Sequence, residues 1–206
     1  MIKLEKEMVV GWEPAIRGAR NPMNSWYRGD SYYGQDRFII GPNDYKLLTK
    51  LCVAGSDHRK FLRMIVVYVD ITAPLYWWKE FDTYKIGTVA NSCSTMHKIH
   101  AKEFVRDDFS HGTLCDMSLK ALDETVNILN TLRDAYNDSK EKHIWDQMIQ
   151  LLPSSYNQKR TVMMNYEVLR NMYHARKNHK LAEWRAFCSW VEGLPYASEF
   201  IIKEKE

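Results

Sequence analysis

The period of the apolar positions changes several times along the chain, and each change predicts an element. "MIVVYV", Met64 to Val69, is an unbroken run rich in β-branched residues, which predicts a buried strand. Thr72 is then placed to cap a helix with Pro74 in its first turn, carrying Trp77, Phe81 and Tyr84 on one side until Gly87 ends or bends it. Upstream, Pro42, Asn43 and Asp44 open a helix that runs to about Val53 and closes at Gly55. Leu119, Leu122, Val126, Leu129 and Leu132 recur at helical spacing and predict a helix from Ser118 that breaks near Asn137 to Ser139. A second helix is expected over 140–151, stopping at Pro153, and a last long one over 162–191. Residues 12–41, with turn signals at Asn21-Pro22 and Gly29-Asp30, are expected to be irregular.

The last predicted helix has a mixed face. Asn165, Leu169, Met172, Arg176 and His179 are spaced 4, 3, 4 and 3, so a helix places them on one stripe. Burying an unpaired guanidinium is costly, so Arg176 on a core-facing stripe requires an anionic partner. Glu167 and Glu183 are the protein candidates, and a ligand is the alternative. A stripe facing solvent is the plainer reading of the same pattern.

Composition narrows the classes. A chain of 206 residues with no Pro/Gly/Ser-rich linker predicts one domain over 1–206. A net charge of +3, with acids and bases interleaved, gives no footprint for nucleic acid. Nothing has the length or apolarity of a membrane span, and four scattered cysteines without a CxxC pair suit free thiols in the cytoplasm. His97, His100 and His111 lack a further ligand at metal-site spacing, so no metal is expected. Cys93, in "NSCSTMH", would need a nearby cation such as Lys85 or His97 to act as a nucleophile, and a small structural residue is the simpler reading. Arg17, Arg20 and Trp26 sit in "IRGARNPMNSWYR", a mixture of guanidinium and aromatic groups able to add nucleotide contacts.

Two segments resemble the flavin-dependent thymidylate synthases. "LPSSYNQKRTVMMNYEVLRNMYHAR", Leu152 to Arg176, keeps that family's Leu-Pro, then Asn165, Leu169, Asn171 and Arg176 without a gap. Beyond Arg176 the register slips, with His179 one place early and Lys180 where a His is expected. "PLYWWKEFDTYKIGT" aligns on the strand-to-loop segment, where Arg-Gln becomes Lys79-Glu80 and Arg-His-Arg becomes Thr83-Tyr84-Lys85. The Ser of the following loop falls on Cys93, beside Ser94, and its Arg on Thr95; the Arg preceding Leu-Pro falls on Ile149.

The resemblance implies an α/β (α+β) fold with a small central, mostly antiparallel sheet packed by long helices. It also implies a homotetramer with ligand sites at subunit interfaces. Tyr84, Lys85, Asn165 and Asn171 would hold FAD, and Lys79, Glu80, Cys93, Ser94 and Arg176 a pyrimidine nucleotide, dUMP or a relative. Arg176 would be the catalytic residue, polarising a ring carbonyl, with reduced folate and NADPH as co-substrates. Two function classes stay open. One is an FAD-dependent pyrimidine-nucleotide methyltransferase of phage type; the other is a non-catalytic nucleotide-binding protein that sequesters or senses its ligand on the same scaffold.

Overall fold

The structure is a computed structural model that describes residues 2–203. Its elements, in chain order, are β1 (Lys3–Val10), α1 (Trp12–Arg20), β2 (Tyr32–Tyr33), β3 (Phe38–Ile39), α2 (Pro42–Ala54), β4 (Val66–Pro74) and α3 (Leu75–Phe81). There follow β5 (Thr88–Ser92), α4 (Thr95–Lys98), α5 (Asp116–Ser139), α6 (Lys142–Leu151), β6 (Asn157–Asn165), α7 (Tyr166–Arg176) and α8 (Ala182–Glu192). A four-stranded sheet has the order β1-β4-β6-β5, and β2 and β3 form a small antiparallel pair. This is the expected class, a small sheet among many helices.

The inner strands show why they are inner. In β4 the side chains of Val67, Val69, Ile71 and Ala73 are buried in strict alternation, and β6 buries Gln158, Val162 and Met164. The outer strands β1 and β5 are largely exposed and carry charged or polar residues, which discourages pairing with further strands.

Two compact units emerge, the first comprising Ile71–Thr83 and Asn91–Arg160 with the start of β1, the second Leu4–Asp70, Tyr84–Ala90 and Thr161 onward. In the first, Leu122, Val126 and Leu129 of α5 line one face and bury themselves with Met148 of α6, Phe104 and Phe109. Lys140 closes α5 in a left-handed conformation at φ 58°. Trp77, Trp78 and Phe81 nest with centroids 4.9–5.2 Å apart. Arg160 lies over Trp78 at 4.1 Å, its guanidinium donating to Asp82 at 2.7 Å and to the Gln158 amide oxygen at 3.0 Å.

In the second unit, Trp12 is surrounded by Phe38, Tyr166, Tyr196 and Phe200. Arg170 of α7 is buried without leaving its charge bare: it donates to the carbonyls of Phe200 and Ile201 at 3.1 Å and to that of Lys203. Arg20 and Asp44 form a buried ion pair at 2.6 Å. Burial alone would raise the Asp44 pKa, but hydrogen bonds from Ser31, the Asp30 backbone and Arg20 outweigh it and hold the carboxyl below its usual range.

Four local expectations change. Trp12–Arg20 is a helix, because Pro14 sits in its first turn, where a missing N–H costs nothing. Thr72 lies inside β4 rather than capping a helix, and Pro74 ends that strand. α3 stops at Phe81, so Tyr84 stands beyond it. The stretch 162–191 is a strand end and two helices; Asn165 caps α7, and residues 177–181 separate it from α8.

Candidate functional site

The second unit brings together residues from both segments that carry the sequence resemblance. Asn165 ends β6, and its side-chain oxygen accepts from Val168 N–H at 2.9 Å, starting α7. Its own N–H donates to the Gly87 carbonyl at 3.2 Å. Gly87 is at φ +81°, and a Cβ there would lie 2.5 Å from the Asn165 amide nitrogen, so only glycine fits without displacement.

At the other end of α7, Arg176 Nε donates to the Tyr84 hydroxyl at 2.9 Å. The guanidinium lies over two rings, 4.9 Å from the centroid of Trp184 and 5.6 Å from that of Tyr84. Those rings meet edge to face at 6.1 Å, and His179 packs on Trp184 at 6.3 Å. The segment 84–87 is thus tied to both ends of α7, and Arg176 is a half-buried cation oriented on an aromatic platform. Lys85 beside it is exposed.

The remaining expected residues are distributed as follows. Glu167 pairs with Arg59 at 2.9 Å, which accounts for one of the two acids weighed as partners of Arg176. Asn171 and Lys79 are exposed, and Glu80 is half-buried, its carbonyl accepting from Thr83. Cys93 is exposed, with its backbone held by Lys159 and Gln158. Ser94 caps α4, accepting from the N–H groups of Met96 and His97, while its oxygen meets His97 Nδ1 at 2.8 Å. Ile149 packs against the α5–α6 core, an apolar role where the resembled family places an arginine.

Arg17 and Trp26 are exposed, whereas Arg20 is turned inward: its guanidinium is engaged by Asp44, the Ser25 carbonyl and the Arg28 carbonyl. That placement commits the Arg20 guanidinium, expected as an extra nucleotide contact, to the protein's own groups. Sequence reasoning missed Trp184, because it sits on a different helix from Arg176 and only the turn at 177–181 returns it. It also missed the close approach of Gly87 to Asn165; the glycine itself was the only signal.

The fold is that of the flavin-dependent thymidylate synthases. A structure of thymidylate synthase X (ThyX) from Helicobacter pylori with FAD and dUMP superposes with a TM-score of 0.70 at 17% identity, covering 97% of both chains. A second structure of that enzyme, also with FAD and dUMP, gives 0.70 at 18% identity over 98% of this chain and 100% of the other. No family model matches the chain. No curated protein matches it in sequence.

Proposed function

We propose that this chain binds FAD and a pyrimidine nucleotide, dUMP or a relative, and transfers a one-carbon unit reductively to the base. The observation that supports this reading is the Tyr84–Arg176 contact. Two segments that resemble one family separately, and that lie 92 positions apart at this pair, meet there. The donor set suits the ligands: a cation fixed on two aromatic rings, with an exposed ammonium at Lys85, fits an anion bearing a flat heterocycle.

Bound FAD would supply hydride. Arg176 would place a rigid donor fork at a pyrimidine carbonyl and stabilise negative charge there, with Tyr84 and Trp184 holding its plane. Lys85 would neutralise a phosphate, Asn165 would set the start of α7, and Asn171 would contact the cofactor. Reduced folate and NADPH would be the co-substrates, and a homotetramer the working assembly.

A second reading has its own support. Thr83-Tyr84-Lys85 replaces three charged or ionisable contacts, and Ile149 packs against the core where a substrate-gripping arginine is expected. A non-catalytic protein that sequesters a nucleotide on this scaffold would show the same departures.

The test is an absorption spectrum after loading with FAD and gel filtration, followed by dUMP, then by methylene-tetrahydrofolate and NADPH with product analysis. Retained flavin with a methylated product supports the enzyme. Retained flavin without product supports the sequestering protein. A colourless protein that dUMP does not bind overturns both. Arg176→Ala should abolish the dUMP-induced change in the flavin band, while circular dichroism and assembly mass stay as in the parent.

A further inference from the structure

A cavity of about 300 Å3 in the second unit has the chemistry of a ligand site and is lined by different residues from those around Arg176. Its floor is the Arg20–Asp44 pair, whose oxygens and N–H groups are satisfied by Ser31, Asp30, Ser25 and Arg28. The floor therefore offers a fixed, closed surface rather than a bare charge. Ile16, Phe38 and Trp26 supply apolar wall. The Trp26 ring is pinned, because its indole N–H donates to the Asn21 side chain at 2.8 Å. It can offer a ligand a face, not a donor.

At the mouth, Glu13 and Arg17 stand one turn apart on α1 with 3.7 Å between oxygen and nitrogen. Both are well exposed, so the pair is weak and opens readily for a ligand. A carboxylate acceptor beside a guanidinium donor mirrors the edge of a cyclic amide. A ring N–H donates to Glu13 while the neighbouring ring carbonyl accepts from Arg17. A phosphate is a poor fit, since Glu13 would repel it.

The geometry points to a second binding site here, for a flat lactam heterocycle of one or two rings, stacked on Trp26 and read at its –NH–CO– edge by Glu13 and Arg17. The site stands independently of the flavin reading.

The test is calorimetric titration of the full chain with pteridine-2,4-dione, and with its N1,N3-dimethyl form, which keeps the flat ring system but has no ring N–H. The dione should bind saturably at submillimolar concentration, and the dimethyl form at least about ten-fold more weakly. Glu13→Ala and Arg17→Ala, both at exposed positions, should each weaken the dione about ten-fold, and Trp26→Phe should bind it better than Trp26→Ala. Arg176→Ala should leave the titration unchanged, which separates this site from the proposed nucleotide site. Equal binding of the dimethyl form, absence of saturable heat at millimolar dione, wild-type binding by Glu13→Ala, or loss of binding in Arg176→Ala would each overturn the assignment.

Discussion

Replacing Gly87 by alanine probes the tie between segment 84–87 and α7. Two costs combine. An L side chain at φ +81° costs about 1 kcal/mol or somewhat more relative to glycine. The new methyl group would also meet Asn165, at 2.5 Å from Nδ2, 3.1 Å from Cγ and 3.2 Å from Oδ1. The amide can swing away only by releasing Val168 N–H, and loss of such a cap costs about 1 kcal/mol. Gly87→Ala should therefore destabilise by roughly 2–3 kcal/mol. Asn165→Ala alone should cost about 1 kcal/mol. The two effects are not additive, because the three nearest atoms all belong to the Asn165 side chain. In the Asn165→Ala background the glycine replacement should cost only the backbone share, about 1 kcal/mol. Urea unfolding followed by tryptophan fluorescence measures all four proteins. Equal costs in both backgrounds would refute the clash, and a cost below about 0.5 kcal/mol in the parent would refute the left-handed backbone as well.

Three further outcomes follow from the packing. Asp44→Asn leaves Arg20 buried without its counter-ion and should destabilise by roughly 3–5 kcal/mol in the same assay. Because the folded-state pKa of Asp44 lies below its ordinary 3.8, its contribution is complete above that value and is lost as pH falls through the lower one; acid titration of stability should show this loss in the parent and not in Asp44→Asn. Ellman's reagent near neutral pH should modify Cys93 and Cys115 quickly, with Cys115 first because the Ser118 hydroxyl and nearby backbone groups lower its pKa. Cys52 and Cys188 should react only on unfolding, since both are buried and burial pushes the Cys188 thiol up to about 11; a third fast thiol would contradict the core as described. Leu129→Ala should cost roughly 2–5 kcal/mol, as its side chain is completely enclosed between α5 and α6.

The elements legible in the sequence are those whose signals are local and agree with one another. α2 opens at Pro42 and stops before Gly55, and α5 and α6 break where Asn137 to Ser139 and Pro153 indicate. Fold class was legible through the resemblance as well, because Asn165, Leu169, Asn171 and Arg176 keep their spacing. The stretch 162–191 misled because a spacing of 4, 3, 4 and 3 over five positions also arises by coincidence across a strand end, a helix and a turn. α1 was hidden because Pro14 and Gly18 read as breakers, although proline in a first turn is harmless.

By itself the sequence determined where chain direction can change and which faces are apolar, since capping, glycine and proline effects and periodicity act over a few residues. It also singled out Arg176 as the guanidinium on a stripe of mixed polar and apolar residues. Which partners such side chains meet was settled by tertiary packing. Whether a short apolar run such as Val162 to Met164 becomes strand or helix depends on a neighbouring strand being available to pair with it. What holds a guanidinium depends on partners remote in sequence: Tyr84 for Arg176, Asp44 for Arg20, and the carbonyls of Phe200 and Ile201 for Arg170. Three arginines of identical chemistry sit in three different surroundings, and the cost of burying a charge is set by what surrounds it.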